Sequence, residues 1–167
     1  MRGDDEAITA GSEVAAVLQP PSFEETYRAS YRQLTQVAHL ITGSNDVAEE
    51  VVQDAFVALY ARFATVDNPG GYLYRSVVNG CRTWMRRRDA RVRLTRAEPL
   101  RVARAPELDE TWSALAGLSP RLRTVVVLRY YADLPLAQIG ELVGCPTGTV
   151  KSQLHRALSQ LRGVIER

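Results

Sequence analysis

The feature that most restricts what this chain can fold into is the period of its apolar residues. Wherever a pattern exists it repeats every three and four positions, and no run of useful length alternates every second one. That period gathers apolar groups on one side of an α-helix, whereas a half-buried strand needs a period of two. An all-α protein is therefore expected. The first stripe is Phe23, Tyr27, Tyr31, Leu34, Ala38 and Ile41, and Thr42-Gly43 stops it. A broader stripe follows at Val47, Val51, Val52, Ala55, Phe56, Leu59 and Phe63, with Asp46 and Glu49 spaced as a capping box. Its opposite face carries Glu49, Glu50, Gln53 and Asp54. Asn68-Pro69-Gly70-Gly71 reads as a break, and a third helix is expected beyond it. That helix buries Leu73, Val77, Cys81 and Trp84 or Met85, and sets Arg75, Asn79, Arg82 and Arg86 on another side as a basic ridge.

Residues 88–107 show little periodicity and contain Pro99, Pro106 and six arginines, which reads as a basic linker. A short helix over 108–118 follows, and Ser119-Pro120 opens the next, running through Leu122, Val125, Val126 and Arg129 to Tyr131. Asp133-Leu134-Pro135 interrupts the chain before a two-turn helix over 136–143 and a tight turn at Gly144-Cys145-Pro146. The last helix starts at Thr147 and has Val150, Leu154, Ala157, Leu158, Leu161 and Ile165 on one face. At 167 residues and 46% hydrophobic content the chain can form two small cores. The expected organisation is a flexible N-terminal tail over 1–22, a helical domain over 23–89, a flexible linker over 90–107 and a helix-turn-helix domain over 108–167.

The net charge of +2 hides a segregation along the chain. Residues 23–64 carry three basic and six acidic residues, while 71–104 carry ten arginines against Asp89 and Glu98. Residues 120–167 carry seven basic against three acidic residues. Blocks of this kind imply different partners for different faces, with a polyanion suited to the basic ones. The stretch LAQIGELVGCPTGTVKSQLHR over 136–156 fits a helix-turn-helix on steric grounds, with Gly140 small at the helix contact and Ile139, Leu142, Val150 and Leu154 closing the core. Thr147, Thr149, Lys151, Ser152, His155 and Arg156 then project where a recognition helix presents donors to base edges and phosphates. A helical hairpin that only packs is the plainer alternative.

Cys81 and Cys145 stand far apart, each within an apolar pattern, and neither His39 nor His155 has partners at metal-ligand spacing. Neither a disulfide framework nor a metal or other cofactor is indicated. The acidic start at Asp4, Asp5 and Glu6 and the short apolar run 14–18 suit neither a signal peptide nor a membrane span, so a cytoplasmic protein without membrane insertion is expected. With no nucleophile, phosphate loop or metal cluster in the sequence, an enzyme is the least favoured class.

The run LSPRLRTVVVLRYYADLPLAQIGELVGCPTGTVKSQLHRA over 118–157 resembles region 4 of the sigma-70 family in its extracytoplasmic-function (ECF) group. Two N-terminal runs agree with it. DVAEEVVQDAF over 46–56 is similar to the region 2 helix that docks on polymerase, and GYLYRSVVNGCRTWMRRR over 71–88 resembles the promoter-melting helix. The resemblance covers residues 23–163 and implies a sigma factor that directs core RNA polymerase to specific promoters. It implies that Glu49, Glu50, Gln53 and Asp54 meet the β′ clamp helices. It implies further that the loop 64–71 with Tyr72, Tyr74, Arg75, Asn79, Arg82 and Arg86 takes the opened minus-ten strand. Thr147, Thr149, Lys151, Ser152, His155 and Arg156 would bind the minus-thirty-five element, with the β flap as a further polymerase contact. Gly140 departs from the alanine frequent in the family, and the linker is more basic than an RNA mimic should be. No further domain is expected after Arg167, which leaves regulation to a separate anti-sigma protein. The rival readings are a stand-alone helix-turn-helix regulator, which binds palindromic duplex sites as a dimer without polymerase, and an all-α adaptor that binds protein only.

Overall fold

The computed structural model describes residues 21–95 and 106–165, and among them every regular element is helical. The expected tail before residue 21 and the stretch 96–105 of the expected linker lie outside the described residues. Helix α1 (Phe23–Thr42) opens on a capping box in which Ser22 Oγ accepts from Glu25 N and Glu25 Oε2 accepts from Ser22 N. These bonds from Ser22 hold the Glu25 carboxyl below its ordinary value. Gly43, at φ 77°, ends the helix by donating to His39 O at 2.7 Å. Helix α2 (Asn45–Tyr60) is capped by Ser44, whose hydroxyl accepts from Val47 N. The expected Asp46–Glu49 capping box is thus corrected: the helix begins earlier, and Asp46 lies inside its first turn, where a carboxylate complements the positive helix end.

Asn68-Pro69-Gly70-Gly71, expected as a break, is instead a helix start. Asn68 Oδ1 accepts from Gly71 N at 2.8 Å, Pro69 takes the first helical position, and α3 (Pro69–Thr95) includes both glycines. Proline is harmless there because the first turn has no intrahelical use for its missing N–H. The helix also passes the expected boundary at residue 89 by six residues. Residues 90–95 contain neither Gly nor Pro, and Ala90, Arg91 and Arg93 are exposed, so a criterion based on an apolar stripe does not see this part of the helix. Of the two candidates for the last buried position Met85 is the one sealed off, while Trp84 is half-buried beneath the Arg88 guanidinium, 5.2 Å from its ring centroid.

The C-terminal helices are α4 (Pro106–Ala116), α5 (Pro120–Val126), α6 (Leu136–Val143) and α7 (Thr147–Ile165). Helix α5 runs on into one wide π turn, Val127–Tyr131, closed by Ala132 N donating to Val127 O at 3.0 Å. Arg129 Nη1 donates to Leu134 O at 3.0 Å and holds the chain as it leaves that turn.

The sequence suggests two cores on a tether, yet the buried residues form one continuous cluster from Leu34 to Ala157. Helices α1, α2 and α3 pack on one another, and the C-terminal half of α1 is also covered by α4, α5 and the π turn. This is why residues 37–42 are buried all round, including His39 at 1% exposure, where an amphipathic helix on a lone three-helix core would leave one side wet.

Candidate nucleic-acid interface

Position and sign of charge give α7 its character. Val150, Gln153, Leu154 and Ala157 face inward, while Thr147, Lys151, Ser152, His155 and Arg156 are exposed and Thr149 is half-buried. Thr147, Lys151 and His155 recur every four residues, as do Ser152 and Arg156, so they stand in adjacent rows on one helix surface. The helix contains Lys151, Arg156 and Arg162 and no acid, which gives its outer surface the sign of charge that a polyanion requires. Ser152 Oγ donates to Thr149 O at 2.9 Å, so this hydroxyl must rotate to reach a base edge. The turn before α7 fixes the angle at which these groups emerge. Gly144, at φ 71°, ends α6, and Cys145 N donates to Gly140 O at 2.9 Å. A Cβ at Gly140 would fall 2.7 Å from Cys145 O, so the absent side chain is what lets the turn fold this closely onto α6.

On α3, Arg75, Asn79, Arg82 and Arg86 are all exposed, as the ridge pattern requires. Tyr72 and Tyr74 are half-buried and packed against the core, so only part of each ring is open to a base. Burial raises the Tyr74 phenol above its ordinary value, with the Tyr131 phenol as a second cause. Asn79, Arg82 and Arg86 do not open onto solvent alone. They line a cleft of about 570 Å³ whose far wall is Pro120, Arg121, Thr124, Val143 and Gly144, and Arg82 Nη1 donates to Val143 O at 3.3 Å. Three guanidinium groups thus share this cleft with Asp89. The structure therefore joins part of the α3 ridge to the C-terminal helices.

Glu49, Glu50, Gln53 and Asp54 are exposed on α2. The same face continues one turn further with Val57 and Tyr60, each 71% exposed, an apolar extension that attention to charge alone passes over. The detectable signal is two large apolar residues lying off the buried stripe. Arg121, Thr124, Trp112 and Arg123 are also absent from any pattern of ridge or recognition helix, and the fold makes each of them part of the contact between the halves.

A helical protein with a basic, acid-free helix after a tight turn, a second arginine-rich helix and a separate acidic face has the make-up of a DNA-binding protein that works with a protein partner. Family models match both halves: Sigma-70 region 2 over residues 26–91 and Sigma-70 region 4 over residues 114–163. The RNA polymerase sigma-E factor of Streptomyces coelicolor is 30% identical over 152 residues, covering 84% of this chain and 84% of that protein. The ECF RNA polymerase sigma factor SigE of Mycolicibacterium smegmatis is 31% identical over 161 residues, covering 85% of this chain and 61% of its own length. Among solved structures, the sigma factor RpoE in complex with the anti-sigma factor NepR from Bartonella quintana matches with a TM-score of 0.73 at 23% identity, over 86% of this chain and 96% of that one. CnrH in complex with the cytosolic domain of CnrY matches with a TM-score of 0.65 at 23% identity, over 86% and 87% of the two chains. The chain belongs to the ECF group of the sigma-70 family, whose members direct RNA polymerase to promoters and leave catalysis to the polymerase.

Proposed function

We propose that the promoter is read at two places by the two halves of the chain. The outer face of α7, through Thr147, Thr149, Lys151, Ser152, His155 and Arg156, enters the major groove of the minus-thirty-five element. The loop 64–71 with Tyr72, Tyr74, Arg75, Asn79, Arg82 and Arg86 takes the unpaired strand of the minus-ten element by partial stacking and phosphate contacts. Glu49, Glu50, Gln53 and Asp54 meet basic residues on the β′ clamp helices, Val57 and Tyr60 supply apolar contact beside them, and the C-terminal half meets the β flap. The working units are residues 23–89 and 108–167, and the protein acts in the cytoplasm. An anti-sigma protein is a fitting regulator, because the RpoE of the structural comparison is held by one.

The observation that carries this reading is the acid-free outer surface of α7, set at a fixed angle by the Gly140–Cys145 contact. Run-off transcription with purified core polymerase on genomic promoter fragments tests it. Addition of this chain is expected to produce discrete transcripts, and Lys151→Ala with Arg156→Ala is expected to abolish holoenzyme retention on those promoters while core binding persists. Unchanged retention by the double variant would remove α7 from promoter recognition.

A further inference from the structure

The seam between the two halves is tight where Trp112 packs on Gly43, so closely that a Cβ there would fall 2.2 Å from its Cζ2, and where the buried Arg123 donates to Ile41 O at 3.2 Å. It does not close everywhere. Between α3 and the C-terminal helices it leaves the cleft of about 570 Å³, and neither the outer face of α7 nor the acidic face of α2 accounts for it. Its size falls within the range of small-molecule sites, about 300–1,000 Å³. Met85, Thr124 and Val143, all buried, form part of its lining, and Arg82, Arg86 and Arg121 bring exposed positive charge to it. Two of these guanidinium groups come from α3 and the third from α5, so a bound group would be held from both walls.

The third is fixed in place. With the Gln153 amide turned so that its oxygen faces Arg121, Gln153 Oε1 accepts from Arg121 Nε at 2.8 Å and from Nη2 at 3.2 Å. Gln153 lies on the inner side of α7 at 8% exposure, where an amide without partners would be costly, and this pairing is what makes it tolerable. Arg82 donates Nη1 to Val143 O at 3.3 Å, and Arg86 donates Nη2 to Thr83 Oγ1 at 3.4 Å. A guanidinium has five N–H donors, so all three arginines keep donors beyond these bonds. Asp89, the acid in the lining, is already shared with Arg88, whose Nη2 lies 3.6 Å from its Oδ1. The cleft therefore stays positive, and an anion with more than one charge complements it. Phosphate suits it better than carboxylate. Paired phosphate oxygens match the guanidinium fork, and two linked phosphates offer oxygens and charge enough for three forks at once.

We propose that this cleft is a binding site for a small ligand bearing a diphosphate or longer phosphate chain, either a nucleotide or an inorganic polyphosphate, held by Arg82 and Arg86 on one wall and Arg121 on the other. The site does not depend on the promoter reading, since binding to the free chain involves neither DNA nor polymerase. It bears on that reading because Arg82 and Arg86 cannot hold the ligand and an unpaired DNA strand at the same time.

Isothermal titration of the full chain with GDP and, separately, with pyrophosphate tests it, at physiological ionic strength and without magnesium. Binding of one equivalent is expected. GDP bound more tightly than pyrophosphate assigns the site to a nucleotide, and pyrophosphate bound as tightly or more so assigns it to the inorganic chain. Arg121→Ala is expected to weaken the binding about ten-fold or more, as the loss of charge-assisted bonds does. Gln153→Leu, which keeps the guanidinium but releases it, should weaken binding less. Arg162→Ala, which removes an exposed charge of α7 outside the cleft, should leave binding unchanged. No binding of either probe at millimolar concentration overturns the proposal, and so does an equal loss in Arg121→Ala and Arg162→Ala, which would make the attraction diffuse. If Arg121→Ala loses helical content, Arg121→Gln takes its place with the same expected loss and the same refuting result.

Discussion

Gly140→Ala is a sharp test of the geometry that aims the recognition helix, because two opposing effects have known sizes. Replacing glycine by alanine inside a helix is favourable by about 1 kcal/mol, since less backbone entropy is lost on folding. Against this, the new methyl would stand 2.7 Å from Cys145 O and 3.8 Å from Val150 Cγ2. The first of these is a backbone atom, which can yield only if the turn moves. Overpacking of that kind costs about 1–3 kcal/mol. The expected result is net destabilisation of about 1 kcal/mol, a fall of about 2–4 °C in Tm for a chain of this size. Gly148→Ala is the internal control, since nothing lies within 4 Å of a Cβ there and the residue is also helical. Subtracting the two cancels the helix preference and leaves the steric part. Thermal unfolding by circular dichroism of both variants measures it, with promoter retention as the functional readout, because a displaced Cys145 carries Thr147 with it. If Gly140→Ala melts at or above the control, the close contact does not set this turn. The alanine frequent at this place in the family would then be equally good here.

The acidic face of α2 is expected to set polymerase affinity. Glu50→Lys with Asp54→Lys should weaken core binding about ten-fold or more, as exposed pairs contribute up to about 1 kcal/mol each and reversal adds repulsion. Fluorescence titration against core polymerase checks it, and the loss should shrink with added salt; Tyr60→Ser should weaken the same complex with little dependence on salt. The two cysteines are expected to differ in reactivity. Burial pushes the Cys81 thiol up to about 12, while Cys145 is half-buried in the turn before α7, so a maleimide at pH 8 should modify Cys145 alone in the native protein. The same shift predicts a pH effect on stability. Above an unfolded pKa of about 9 the unfolded chain releases this proton and the folded one keeps it, so stability falls as pH rises toward 12. Cys81→Ala should flatten that part of the curve, as judged by urea unfolding at pH 8 and pH 10.

Much of the fold is legible because it depends on local rules. The two-turn helix at Leu136–Val143, the turn after it and the start of α7 at Thr147 follow from the apolar period and from Gly144 and Pro146. Ser119-Pro120 opens α5 as a serine-proline pair should. The errors arise where a residue type has two uses. Proline and paired glycines break a helix from within but can start one, and only the position of Asn68 decides which. Arginine-rich sequence after residue 88 suits a linker or a helix equally well, because Ala90, Arg91 and Arg93 are exposed and leave no apolar stripe that would distinguish the two. Both the α3 ridge and the α7 surface were readable as candidate sites, since exposed groups at helical spacing need only their own helix. The seam was not, because Trp112, Arg123, Gly43 and Ile41 are brought together by tertiary packing alone.

Arginine ties these observations together. Arg82, Arg123 and Arg129 each donate to a backbone carbonyl where a helical or turn segment ends. A planar guanidinium with five donors suits that task, and it suits phosphate oxygens equally well. The difference lies in burial. Arg123 is enclosed and cannot exchange its carbonyls for anything else, so it acts as structure as long as the halves stay together. Arg82 is exposed, and one hydrogen bond at 3.3 Å to Val143 O is a modest tie that a phosphate, bearing a full charge, readily outcompetes. The seam is thus strong at Trp112 and Arg123 and weak at Arg82. Separating the halves would mean withdrawing Trp112 from Gly43 and Arg123 from the Ile41 carbonyl, whereas breaking the Arg82 bond alone would leave both in place.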